Sequence, residues 1–400
     1  MRILVHLNSL ELGGTQINAV DFAVASREHG VTSVLVGDRA GLPGSPNLLD
    51  YAAERGVSVR AYEPAPGMRG HSAQLSAFVE ELGIDLIHVY GMWGAARPVY
   101  WGPARWGRTP WVQTVYEMSV APVVLRHMPL IVGTGYLLEE QADRPGGTVL
   151  ISPPVDLVRD APASPGVPDL RAMAALGGGP LVVIVSRLDS RMKARSIGIA
   201  IEAMRTVGES GATLVVVGAG DAEADLRARA RDVNGSLGRD AVRMLGAMSD
   251  PRAAYAAADV VLGMGGSAAR ALAFGKPLVV QGEAGWSRVF DRASADGLAR
   301  SSYWSPDEVA DPVGDLAVSV AALLADPARR ADLGRFGREF AITRFGLPAM
   351  AERLCDVYRG AMSSYAAGAW LADLPREGRR LAEKVGRAVA RPEPTGVQAA

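Results

Sequence analysis

Short β-branched runs alternate with amphipathic stretches over the first 150 residues, and after an interruption the same alternation begins again. A chain that repeats strand, turn and helix in this way folds as a parallel sheet covered by helices. In the first half the runs 2–7, 31–37, 57–63, 85–91, 110–116, 128–134 and 147–153 predict strands, and the stretches 14–29 and 72–83 predict helices. The Pro-, Ala- and Gly-rich segment 153–168 breaks the pattern and reads as a linker. Beyond it, strands are predicted at 180–185, 213–217, 241–245, 258–262 and 277–281, with helices at 194–206, 222–231, 251–257 and 267–274. Two such sets joined by one linker leave a cleft between two sheets, and ligands bind such sheets at the carboxyl ends of their strands.

With 400 residues, 48% of them apolar, the chain can fill two cores. The net charge of −1 gives no global attraction to nucleic acid or to an anionic membrane. A single cysteine, Cys355, excludes an intrachain disulfide framework, and the cytoplasm is the expected compartment. The start, Met1-Arg2-Ile3-Leu4-Val5-His6, turns polar too early for a secretory signal. No uncharged apolar run reaches the roughly 18 residues of a membrane span. From 328 onward helices are predicted, and 376–390 carries the pattern of a basic amphipathic helix within an otherwise exposed tail.

Four turns between a strand and a helix could meet an anion. Leu12-Gly13-Gly14-Thr15 opens the first helix, where paired glycines and free N–H groups suit a ligand, or simply a tight turn. Ser186 to Lys193 places Arg187, Arg191 and Lys193 after a strand, in a chain whose only lysines are Lys193, Lys276 and Lys384. Arginine grips phosphate in a fork and lysine adds a point charge, so this loop suits a polyphosphate. Gly263-Met264-Gly265-Gly266-Ser267 leads into a helix with Ser267 as the expected N-cap. Gly218-Ala219-Gly220-Asp221 begins like a dinucleotide fingerprint, but Glu223 stands where the third glycine belongs and the motif lies in the second half. A dehydrogenase is therefore disfavoured.

Other chemistries are thinly represented. His6, His29, His71, His88 and His127 form no metal-ligand spacing, and His6 and His88 fall within strands, as core residues would. Neither Asp-x-Asp nor a G-x-S-x-G elbow occurs. Trp93, Trp101, Trp106 and Trp111 are read as core aromatics, with an acceptor pocket as the alternative.

Taken together, residues 1–365 resemble glycosyltransferase family 4, the retaining enzymes of GT-B fold. Gly13-Gly14 looks like that family's acceptor-side loop, and Ile151-Ser-Pro-Pro-Val-Asp156 like its interdomain segment. Val216-Val-Gly-Ala-Gly-Asp221, Arg243-Met-Leu-Gly246 and Arg270-Ala-Leu-Ala-Phe-Gly-Lys-Pro277 follow in the family's order. The resemblance implies two Rossmann-like domains, 1–160 and 161–345, a helix 346–366 returning to the first, and a helical or flexible tail 367–400. It implies that Arg187 and Lys193 neutralise a donor diphosphate, and that Tyr116 and Glu117 face the sugar or acceptor. Gly14, Gly218, Met244, Gly246, Gly265, Gly266, Ser267 and Arg270 would hold the donor, and Gly13, Gly14 and Thr15 would line the acceptor side. The implied partners are a nucleotide-diphosphate sugar and a small acceptor, with no further cofactor and no metal.

The sequence departs from the family at three points. Arg270 replaces the second of its paired glutamates, the loop that carries the first is shortened, and Tyr116 stands in place of its usual histidine. Arginine cannot accept hydrogen bonds from ribose hydroxyls, so Arg270 is expected as a third cation beside the diphosphate. A non-catalytic sugar-nucleotide-binding or partner subunit is the competing reading.

Overall fold

The computed structural model describes residues 1–40, 42, 44, 47–366 and 368–389. Its first sheet is formed by β1 (Arg2–Leu7), β2 (Thr32–Asp38), β3 (Val59–Tyr62), β4 (Leu86–Tyr90), β5 (Trp111–Val115), β6 (Leu130–Val132) and β7 (Thr148–Leu150). These run parallel in the order β3-β2-β1-β4-β5-β6-β7. The second sheet holds β8 (Leu181–Val185), β9 (Thr213–Val217), β10 (Val242–Gly246), β11 (Val260–Gly263), β12 (Leu278–Gln281) and β13 (Ser287–Val289), in the order β10-β9-β8-β11-β12-β13. Only β13 is antiparallel to its neighbour. Each sheet reverses its winding once, between β1 and β4 and between β8 and β11, and the crevice beside such a reversal is where open α/β sheets take ligands.

The strand cores are continuous Val, Ile and Leu because helices cover both faces. On one face of the first sheet, the helix Gly14–Ala25 packs with the late helix Leu347–Ser363, which contributes Met350, Leu354 and Tyr358 to that core. The chain thus crosses between sheets twice, and the crossings are tied together: Val155 N–H donates to Phe345 O at 3.1 Å and Leu347 N–H to Val155 O at 3.0 Å. Segment 153–168 between the sheets contains neither a helix nor a strand, beyond an isolated bridge from Val155 to Gly346.

His88 is a satisfied core residue, with Nδ1 2.7 Å from the Tyr358 hydroxyl and Nε2 2.7 Å from Thr114 Oγ1. His6 is also buried, 2.9 Å from the Tyr62 hydroxyl, and burial holds its pKa down at about 3. Of the tryptophans, Trp111 is core, but Trp93 and Trp106 are 64% and 70% exposed, against the core reading.

The tail also differs from a free extension. The buried carboxylate of Asp373 accepts from Arg126 N (2.7 Å), His127 N (2.9 Å) and, at 2.7 Å, pairs with His127 Nδ1. Glu377 pairs with Arg97 at 2.9 Å. These contacts seat the root of the final helix, Leu374–Val389, on the first domain. They join residues some 250 apart, and no local sequence pattern announces them. The Pro-rich end, 390–400, lies outside the described residues.

Candidate active site

The loop after β8 holds the densest cationic feature at a winding reversal. Lys193 occupies the N-cap of the helix Ala194–Val207 and is half-buried. Desolvation first, then the neighbouring Arg187 charge, push its pKa down to about 8 against the upward pull of Asp189 and Glu283. Among the described residues no hydrogen bond or ion pair engages its Nζ. A cation at a helix N-terminus opposes the helix dipole, so Arg187, Lys193 and the helix end together favour an incoming anion. Arg187 is half-exposed and reaches the other domain, with Nη1 3.4 Å from Glu11 Oε2. Glu11 directly precedes the Leu12-Gly13-Gly14-Thr15 turn, which places that turn across the cleft from the cations.

The Gly218-Ala219-Gly220-Asp221 turn braces this loop. Leu188 N–H donates to Ala219 O at 2.9 Å, and Asp221 accepts from Ser190 N (2.9 Å) and Ser190 Oγ (2.7 Å). A Cβ on Gly218 would lie 1.8 Å from Ser186 O, and one on Gly220 2.4 Å from Leu188 O. Both glycines are thus explained by close packing of two loops. Gly246 accepts from Gly218 N–H at 2.8 Å, and Met244 O accepts from Arg227 Nη1 at 3.2 Å. The carbonyls of Met244 and Gly246 are therefore engaged within the fold.

After β11, Gly265 takes φ 57°, a conformation that glycine favours, and serves as the N-cap of the helix Gly266–Ala273. Ser267 is therefore not the cap: its hydroxyl turns back to Met264, donating to Met264 O at 3.0 Å. The first-turn N–H groups of Gly266 and Ser267 have no acceptor within the helix.

Arg270, on the same helix, is paired within the fold. Its Nε donates to Asp160 Oδ2 at 2.8 Å, and both side chains are largely buried. The carboxylates acting on it are Asp160 and Asp21, with the neutral hydroxyls of Tyr51 and Tyr255 nearby, whereas Asp189, Arg187 and Glu283 act on Lys193. Arg270 was expected as a third diphosphate cation; one helical turn past Ser267, its guanidinium is held by Asp160 of the linker, at the junction between the sheets. There it faces Asp21, whose pKa is raised by burial to about 6 and which accepts from the Tyr51 hydroxyl at 2.8 Å.

On the first domain Gly13 caps the first helix, and a Cβ there would meet Gln16 Oε1 at 2.3 Å. Gln16 in turn donates to Asn8 Oδ1 at 2.8 Å and Ser9 Oγ at 2.9 Å. Gly14 is exposed with open space around it, and Thr15 is half-buried. At the end of β5, the Tyr116 ring packs edge-on to Tyr90. Glu117 Oε2 is buried without a partner among the described residues, and burial raises its pKa. A cavity of about 570 Å³ opens beyond β3 and β4, lined by Pro64, Met68, His71, Trp93, Arg97 and Arg380. Sequence reasoning missed this pocket, Glu11 and Glu283, since none belongs to a motif; exposed Trp93 was its one visible trace.

Residues 179–325 match the family model for Glycosyl transferases group 1. A search of the curated proteins returned no match. Solved structures agree over nearly the whole chain. A glycosyltransferase from Rickettsia africae superposes with a TM-score of 0.69 at 13% identity, covering 91% of this chain and 99% of that one. HepE of Anabaena, solved with UDP-glucose, gives 0.70 at 18% identity, covering 90% and 100%. The fold is GT-B. TarM of S. aureus, in a complex containing UDP, shares it at a TM-score of 0.65 and 11% identity, covering 89% and 99%. At such identities the likeness fixes the architecture, and function has to be argued from the site. The motifs that resemble glycosyltransferase family 4 from Val216 to Pro277 lie within the segment that the family model matches.

Proposed function

We propose that this GT-B chain transfers a sugar from a nucleotide-diphosphate donor to a small-molecule acceptor, with retention and without a metal or resident cofactor. The observation that carries the reading is the unpaired Lys193 ammonium at a helix N-terminus, close enough to Arg187 for that charge to depress its pKa. The departing diphosphate needs positive charge at the moment the glycosidic bond breaks. Preorganised cations supply it without reorganisation. Two cations about 4 Å away at an effective dielectric near 20 each offer on the order of 4 kcal/mol before desolvation. In this reading the diphosphate takes Arg187 from Glu11, and the N–H groups of Gly266 and Ser267 assist. UDP in the HepE and TarM structures is consistent with a nucleotide donor.

Tyr116 and Glu117 are assigned to the sugar or acceptor side, with the Trp93 cavity as the acceptor pocket. A half-buried carboxylate whose Oε2 lacks a partner among the described residues is suited to receive the acceptor hydroxyl's hydrogen bond. Glu117→Gln is expected to lower kcat by roughly 10²-fold while leaving nucleotide affinity unchanged, as stopped assays and calorimetric titration would show. An equal loss in affinity would move Glu117 to the donor side.

The missing glutamate pair favours one other reading, a non-catalytic sugar-nucleotide-binding or partner subunit. Release of nucleoside diphosphate from UDP-, GDP-, ADP- and dTDP-sugars, over a panel of acceptors, separates the two. Turnover is expected with one donor, and undiminished in EDTA, because the sequence has no Asp-x-Asp to hold a donor-bridging metal. Binding without turnover across the panel would favour the second reading; loss in EDTA restored by Mg²⁺ would overturn metal independence.

A further inference from the structure

The final helix is seated only at its root. Asp373 and Glu377 fix its rotation against the first domain, and beyond Arg380 every side chain through Gly386 is exposed. At 100° per residue, Leu374, Leu381 and Val385 fall within an arc of about 40°. Leu374 is half-buried, and past the domain's edge the same arc continues uncovered. Leu381 is 47% and Val385 61% exposed, and Leu371, on the turn before the helix, is 51% exposed. The opposite arc carries exposed Arg376 and Arg379 with Glu383 between them, Arg376 Nη1 lying 3.4 Å from Pro122 O, and exposed Lys384 stands about 80° to one side of the stripe. At the root, Arg105 stands 4.2 Å from the Trp106 ring and 4.5 Å from the Trp370 ring, bringing exposed Trp106 beside the segment that holds Leu371.

An apolar stripe with Lys384 at its edge and a cationic face behind it, and with an indole at its root, matches the interface of an anionic bilayer. The stripe enters the acyl boundary, Lys384 at its edge meets lipid phosphates, Arg379 on the polar face adds attraction to the negative surface, and the amphipathic indole sits at headgroup level. No described helix is long and apolar enough to cross a membrane, so such a helix lies along the surface. We propose that Leu374–Val389 is an in-plane anchor that docks the first domain on an anionic membrane. The proposal stands apart from the donor site. It uses none of that site's residues.

The test is sedimentation of the full chain with vesicles of phosphatidylcholine containing about 30 mol% phosphatidylglycerol, against pure phosphatidylcholine. The wild type is expected to pellet with the anionic vesicles, to stay in solution with the neutral ones, and to be released by high salt. Leu381→Glu/Val385→Glu and Arg379→Glu/Lys384→Glu should each cut the bound fraction at least about tenfold while keeping the wild-type melting temperature. A wild type that ignores anionic vesicles, or a Leu381→Glu/Val385→Glu protein that binds them equally well, would overturn the anchor. So would a lipid-free dimer, seen by sedimentation velocity, that the same variant dissociates, since the stripe would then belong to a second copy.

Discussion

Arg187→Ala and Lys193→Ala are each expected to lower kcat by about 10²–10³, the loss that follows removal of one preorganised group from a developing anion. The double variant should lose less than the product of the two, because groups acting as a unit are not additive. Neither change should unfold the protein. Arg187 is half-exposed with one long contact to Glu11, and the Lys193 ammonium has no partner among the described residues to leave behind. Lys193 also predicts a pH dependence. With a pKa near 8 in the donor-free protein, it is charged at neutral pH and loses its proton above that value, so kcat/KM should fall on the alkaline side. Lys193→Arg should shift that fall upward, since arginine stays protonated. A pH–rate profile of the two proteins gives the answer, and superimposable profiles would remove Lys193 from the reaction.

Arg270 should behave in the opposite way, with a large effect on stability. Its ion pair with Asp160 is buried at the junction of the two sheets, and its field also holds Asp21 and Asp160 below where burial alone would put them. Taking out one member of such a pair leaves an uncompensated buried charge and costs roughly 3–5 kcal/mol. Arg270→Ala should therefore lower the urea midpoint sharply, as should Asp160→Ala. Replacing both with apolar residues of similar volume should recover much of the loss. A single Arg270→Ala protein with wild-type stability and weakened nucleotide affinity would restore the reading drawn from the sequence.

That contrast shows where sequence reasoning reaches. The strands were legible because buried parallel strands are runs of Val, Ile and Leu, and twelve of the thirteen follow the predicted positions to within a few residues. The exception, β13, is Ser287-Arg288-Val289, a three-residue antiparallel edge with no apolar run to mark it. Helix Pro312–Ala325 was missed because it lies between the repeated βα units and the helical end. The loop after β8 was legible from Lys193, an exception to the chain's use of arginine. Motif position misled where a side chain's direction mattered. Arg270 sits on the expected helix, yet its partner, Asp160, comes from the linker 110 residues away. Gly218 was read as holding the donor, and the space beside it is filled by the Ser186 carbonyl, as that beside Gly220 is by Leu188. Ser267 falls inside the helix, whose N-cap is Gly265 at a φ of 57°, a conformation that glycine favours. The docking of the tail depends on two buried carboxylates, Asp373 meeting the Arg126 and His127 N–H groups and Glu377 the Arg97 side chain, far away in sequence, which no periodicity encodes.

The central claim is that the loop from Ser186 to Lys193 binds the diphosphate of a nucleotide. Thermal unfolding with UDP, GDP, ADP and dTDP, each against its monophosphate, tests it most directly. At a hundredfold excess over Kd, a ligand specific for the folded state contributes about 2.7 kcal/mol, a rise of roughly 5 °C or more for domains of this size. One diphosphate should produce that rise, its monophosphate much less, and the Arg187→Ala/Lys193→Ala protein none. Equal shifts with mono- and diphosphate, or a full shift in the double variant, would contradict the account.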